Sequence, residues 1–250
     1  YRAFEHIVYV MKPADTRYQI MNVYIPEAYF QGGSINGFTK NTAPIFFPNN
    51  VGGYMPGEAG QPETDSRDSG KPNAIAVALS QGYVVASPGA RGRTEANGRA
   101  PAAIVDLKAA VRYLKANDAK MAGDARKIIS NGTSAGGALS ALLGTSGNAR
   151  EYAPYLHALG SANATDDVLA VSAYCPITNL EHADAAYEWQ FNGVNDYEKI
   201  DISMIDYHVE RKTVRGTQTV EQIRLSDGLK NLFPAYENSL KPKKAQGVPK

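Results

Sequence analysis

Cysteine is almost missing from this chain: Cys175 is the single one in 250 residues. That excludes an internal disulfide and, with only four histidines, argues against a zinc cluster. The compartment therefore stays open between secreted and cytoplasmic. Charge of one sign is lacking too, because 26 Lys+Arg stand against 25 Asp+Glu for a formal net charge of +1. Such a balance provides no field to hold DNA, RNA or an anionic membrane surface. The one local excess, "KPKKAQGVPK" at 241–250, reads as a solvated tail. No run of about 18 apolar residues occurs, so no membrane-spanning helix is expected. Internal repeats and low-complexity tracts are absent. So are the H-E-x-x-H, P-loop and G-x-G-x-x-G patterns, hence no metal, nucleotide or flavin cofactor is expected. The chain opens at Tyr1 without a signal-like segment, and any targeting sequence is expected to have been removed or never to have been there.

What is present is an alternation. "HIVYV" and "YQIMNVYIP" are β-branched and aromatic runs joined by the turn-rich "MKPADTR", which predicts an antiparallel hairpin. "APIFFPNN" and "YVVASPG" read as short buried strands. Between them "KPNAIAVALSQG" begins with Asn73 at a helix N-cap and stops on Gly82. In "APAAIVDLKAAVRYLKAN", Ile104, Leu107, Val111 and Leu114 recur three or four residues apart while Lys108, Arg112 and Lys115 take the other face, an amphipathic helix. "KIISN" and "LAVSAYCP" add two strands. Strands separated by single helices imply a mostly parallel, doubly wound α/β sheet, preceded here by the hairpin. From about Pro176 the periodicity weakens; the aromatic- and charge-rich stretch that follows reads as an insertion over the sheet rather than another βα unit. "TQTVEQIRLSDGLKNLFPAYENSLK" looks helical up to Pro234, with a further helix after it.

The segment "IISNGTSAGGALSALLG" (128–144) carries the chemistry. Gly132-Thr133-Ser134-Ala135-Gly136 fits G-x-S-x-G between a β-branched strand and a helix, the setting in which a sharp turn thrusts a nucleophilic serine above the sheet. Only very small residues fit two positions to either side, and the helix start aims free N–H groups at a reacting carbonyl. Ser134 is thus the candidate nucleophile and Ala135 the first oxyanion donor. "PNNVGGYMPG" (48–57) follows the third strand, where α/β hydrolases place the second donor; Gly53 is the choice, ahead of Gly52.

A base is harder to find. Only His157, His182 and His208 follow Ser134. His157 reads as a surface helix residue, and no strand runs into His182 or His208. Asp166, Asp167 and Asp184 are candidate acids that no spacing argument separates. Arg91 and Arg93 read as structural arginines at a sheet end, and Tyr187 and Trp189 as packing within the inserted region. Asn131-Gly132-Thr133 matches a glycosylation sequon but falls in the turn itself.

The runs "APIFFPNNVGGYMPG", "SPGARGR", "GDARKIISNGTSAGGALSALLGTSGN" and above all "CPITNLEHADAAYEWQFNG" resemble the bacterial tannases of the tannase/feruloyl esterase group. The resemblance covers essentially the whole chain. It implies an α/β-hydrolase fold and a serine esterase that cleaves galloyl esters, with Ser134 as nucleophile and Ala135 and Gly53 as oxyanion donors. In that group the acid and the histidine come after a lid inserted behind the sixth strand. The resemblance therefore implies that neither the triad Asp nor the His lies in this chain, and that a C-terminal fragment or second chain completes the fold. Residues 1–177 are expected to form the N-terminal portion of the core and 178–250 the start of the lid. The alternatives are a feruloyl or general carboxylesterase on the same machinery, and a catalytically inactive binding protein of this fold.

Overall fold

The computed structural model describes residues 1–64, 70–177, 179–205 and 208–240; the basic run 241–250 lies outside them. The chain divides into two compact units, Tyr1–Thr178 and Asn179–Lys250.

The first unit is built on a six-stranded sheet. Its strands are β1 (Arg2–Val8), β2 (Ile20–Ile25), β3 (Ile45–Pro48), β4 (Val84–Pro88), β5 (Ile128–Thr133) and β6 (Ala170–Tyr174), in the spatial order β1-β2-β4-β3-β5-β6. The expected hairpin is there: β1 and β2 pair antiparallel, and β2 joins β4 in the same sense. β3, β4, β5 and β6 run parallel, with Ile45 opposite both Val84 and Ile128, and Thr133 opposite Tyr174. Helices α1 (Ala74–Ser80), α2 (Ala102–Ala116), α3 (Ala135–Thr145) and α4 (Ala153–Ala158) fill the connections. Asn73 caps α1 as expected, its side chain accepting from the Ala76 N–H at 3.0 Å.

The core follows from the apolar pattern. Ile104, Leu107, Val111 and Leu114 of α2 pack with Ile45, Phe47, Val84 and Ile128 of the sheet. Each such side chain contributes about 1.5–3 kcal/mol by leaving water. The opposite face of α2 departs from expectation. Lys108 is completely buried, its ammonium 2.8 Å from Asp166 and over the Tyr152 ring, while Arg112 pairs with the same carboxylate at 2.7 Å. The segment after α3 folds across this face and brings Asp166 to it, so a stripe that periodicity assigns to water is an ion-pair cluster. β6 is an edge strand among the described residues, and Leu169, Val171 and Tyr174 are exposed there.

The second unit contains α5 (Ala183–Phe191), the strands β7 (Asp196–Ile205) and β8 (His208–Thr217), α6 (Val220–Lys230) and α7 (Phe233–Ser239). β7 and β8 form a separate two-stranded antiparallel ribbon, which the polar, weakly alternating sequence had not announced. Thr219 and Gln222 close a capping box at the start of α6. Pro234 lies in the first turn of α7, where a missing N–H costs nothing, so it opens a helix rather than ending one. No helix among the described residues is long and apolar enough to cross a membrane.

Candidate active site

β5 ends at Thr133 and α3 begins at Ala135, which leaves a single residue to turn the chain. Ser134 does so at φ 57°, ψ −119°, a region that costs a non-glycine residue about 1–3 kcal/mol unless its surroundings enforce it. They do. The Ser134 N–H donates to the Tyr174 carbonyl at 2.9 Å, and the Ser134 carbonyl accepts from Ala138 at 2.9 Å. Small residues make the bend sterically feasible. A Cβ on Gly132 would collide with the Gly136 carbonyl, and one on Gly136 would lie 2.7 Å from Asn49 Oδ1 and 2.8 Å from the Val51 carbonyl. Ser134 is exposed, and among the described residues its hydroxyl makes no hydrogen bond.

Ala135 opens α3, so its N–H is one of the first-turn groups without an intrahelical acceptor, at the positive end of the helix. Gly53 stands in the loop after β3, exposed, at φ +58°. Its carbonyl accepts from Arg93 Nε at 2.7 Å, and the Arg93 N–H donates to the Tyr54 carbonyl at 2.7 Å. Arg91 is the structural arginine that the sequence suggested. Its guanidinium grips Asp106 through Nε at 2.9 Å and a terminal nitrogen at 2.8 Å, and the Arg91 backbone N–H at 2.9 Å and Gln19 Nε2 at 2.8 Å donate to the same carboxylate. Burial pushes the Asp106 carboxyl above the usual carboxylate range, while Arg91 pulls the other way.

The candidate acids and bases are dispersed. His157 is exposed on α4, as expected of a surface residue. His182 precedes α5 and stacks on Tyr236 with ring centroids 4.0 Å apart. His208 begins β8. Asp166 is spent on Lys108, Arg112 and the Asn148 N–H; despite the opposing effect of its burial, these partners hold it below the usual carboxylate range. The Lys115 ammonium does the same for Asp167, and Asp184 is exposed in the first turn of α5. Tyr187 and Trp189 are not core residues, for they are 52% and 57% exposed. The Asn131 side chain donates to the Ser172 carbonyl at 3.0 Å, binding β5 to β6 at the turn.

Sequence reasoning missed Asn49. Its amide Nδ2 lies 3.1 Å from the Asn131 carbonyl, 3.1 Å from the Gly136 carbonyl and 3.0 Å from Ser140 Oγ. "PNN" had been read only as a strand end; the sole hint was an amide side chain able to bond in four directions at the mouth of a glycine loop.

A mixed sheet with parallel central strands, helices in the crossovers and a strained serine between strand and helix defines an α/β hydrolase. Residues 52–221 match the BD-FAE family model, and the chain belongs to that feruloyl-esterase-like family. Among solved structures it is similar to the tannase of Fusobacterium nucleatum, with 56% identity and a TM-score of 0.91 over 98% of this chain and 54% of that one. It is similar likewise to a tannase of Lactobacillus plantarum, at 47% identity and a TM-score of 0.89 over 98% of this chain and 54% of that one. A tannin acyl hydrolase in complex with ethyl gallate is 49% identical with a TM-score of 0.87, over 98% and 53% of the two chains. The chain thus spans about half the length of these relatives. No curated protein matches it significantly.

Proposed function

We propose that this chain is the nucleophile-bearing part of a serine esterase that hydrolyses galloyl esters to gallate and an alcohol. Ser134 Oγ attacks the ester carbonyl while a histidine takes its proton, and the N–H groups of Ala135 and Gly53 hold the oxyanion. The tetrahedral intermediate collapses by breaking the ester C–O bond, the histidine returning the proton to the departing alcohol. Water, activated by the same histidine, then adds to the acyl-serine and frees the acid. The observation that carries this reading is Ser134 itself, exposed at φ 57° at the head of α3 between glycines that leave no room for a side chain. The tannin acyl hydrolase bound to ethyl gallate supports the galloyl class of substrate.

The histidine and its acid are proposed to come from polypeptide other than residues 1–250, as a C-terminal segment or second chain. Two observations support this. The relatives are nearly twice as long, and among the described residues β6 is an edge strand with exposed Leu169, Val171 and Tyr174, a liability that further strands would remove. Residues 1–177 are then the N-terminal portion of the hydrolase core and 178–250 the start of a lid. The family match favours one second reading, an esterase for feruloyl or general carboxylic esters.

The test compares methyl gallate with methyl ferulate, which lacks the adjacent phenolic hydroxyls, in wild type and Ser134→Ala, each together with the polypeptide that supplies the histidine. Expected is preference for the gallate, covalent labelling of Ser134 by a fluorophosphonate, and loss of hydrolysis on replacing the serine with folding intact. Normal turnover by Ser134→Ala ends the proposal, and preference for methyl ferulate replaces it by the second reading.

A further inference from the structure

The glycines of the bend do more than let helix and strand approach. The space they leave is occupied. A Cβ on Gly132 would lie 2.8 Å from Asn49 Nδ2 and one on Gly136 2.7 Å from Asn49 Oδ1, so the Asn49 side chain sits between the two arms of the turn. It is buried, and every polar atom of it is used. The amide donates to Asn131 O at the end of β5, to Gly136 O in the first turn of α3 and to Ser140 Oγ one turn on. Its Oδ1 accepts from the Val51 N–H at 3.3 Å, and its own backbone N–H donates to Asn131 O at 3.0 Å.

One side chain therefore touches three pieces of backbone. Two belong to the bend that bears Ser134 and Ala135; the third opens the loop that leads in two residues to Gly53. Arg93 holds the far side of that loop by its hydrogen bond to the Gly53 carbonyl, from an exposed position. Arg93 holds the Gly53 and Tyr54 carbonyls, so the two planar peptides after Gly53 are fixed, and the Gly53 N–H is joined to them through the φ and ψ of Gly53 alone. An oxyanion hole works only if its donors are placed before the reaction, and here they come from segments some 80 residues apart. We propose that Asn49, assisted by Arg93, is the positioning residue of the oxyanion hole: it locks the Gly53 loop to the Ser134–Ala135 bend, so that two amides from distant parts of the chain converge on one oxygen. Both act through the backbone of the loop and of the bend. The role rests on the acyl-transfer reading above, and the experiment keeps the two apart.

The test uses the chain together with the polypeptide that supplies the histidine. Wild type is first treated with a fluorophosphonate; if Ser134 is not labelled, the acyl-transfer reading fails and takes this role with it. With labelling established, Asn49→Asp keeps the volume and the Val51 contact but turns a donor amide into an acceptor facing two carbonyls. Its kcat on methyl gallate should fall about 100-fold, the usual cost of losing an oxyanion donor, while KM stays within about threefold. Affinity for a boronic acid that mimics the tetrahedral intermediate should weaken in step with kcat/KM, and affinity for gallate should not. Arg93→Ala, at the surface, should lower kcat about fivefold, the worth of one ordinary hydrogen bond, with KM unmoved. A merely structural role would lower the melting temperature and leave kcat per folded molecule and boronic-acid affinity as in wild type; that result for Asn49→Asp overturns the proposal. Should Asn49→Asp not fold, Arg93→Ala decides, and an unchanged kcat there overturns it.

Discussion

Residues 1–178 bury Tyr9, Tyr18, Tyr24, Phe47, Leu107 and Ile128 almost completely, whereas residues 179–250 leave Tyr187, Trp189, Phe191, Leu225 and Leu232 half exposed or more. Among the residues of the second unit whose side chains are described, only Ala185 and Ser226 are buried. The units also use charge differently. In the first, the buried Lys108 and Asp166 form an ion-pair cluster with the half-buried Arg112. In the second, Lys230 and Asp227 pair at the surface, and Asn192 links them to Ser226, which donates to Glu188. A unit with so little buried apolar surface holds together mainly through caps, side-chain hydrogen bonds and ring contacts such as Trp189 on Phe233. Stability is thus concentrated in the sheet, and the second unit leaves its large apolar side chains at the surface.

Four measurements break or sharpen that contrast. Asp166→Ala should have the largest effect, destabilising the protein by about 3–5 kcal/mol in denaturant unfolding, because Lys108 would be left charged and buried without its partner. An effect below about 1 kcal/mol would show the cluster to be wetter than its burial implies. Ser130→Ala should go the other way. Ser130 Oγ is buried on β5 with no hydrogen-bond partner among the described residues, so its removal should raise stability by about 1 kcal/mol. Acid should act on the first unit through its depressed carboxylates. Arg126 brings Asp124 down to about 2, and Asp166 and Asp167 are lowered as well. A carboxylate whose folded pKa is depressed stabilises above its unfolded value, and that contribution is lost as pH falls through the folded one. The melting temperature should therefore drop between about pH 4 and pH 2, and Asp124→Asn should make that drop shallower. Trp189→Ala should do least, costing no more than about 1 kcal/mol where a buried tryptophan costs about 3–5. A larger loss would mean that the second unit has a core after all.

How far the sequence could be read depends on distance along the chain. The parallel strands were visible because each is a short apolar run with its own turn signals, and α1 because Asn73 and Gly82 bracket it. The bend at Ser134 was visible for the same reason: five neighbouring residues carry the whole steric requirement. Lys108 was misassigned because its partner Asp166 is 58 residues away, and a helical wheel cannot report a charge that tertiary folding delivers. The β7–β8 ribbon escaped because strands exposed on both faces need no apolar alternation.

By itself the sequence determined the order of strands and helices, the serine at the turn and the small residues that make the turn possible, because local sterics and hydrophobic period act between near neighbours. The tertiary structure alone decided which strands lie together, which charges go inside, and that Asn49 reaches across 87 positions to hold Gly136. Those outcomes depend on chain segments meeting in space, where a hydrogen bond or an ion pair gains its strength from the water excluded around it.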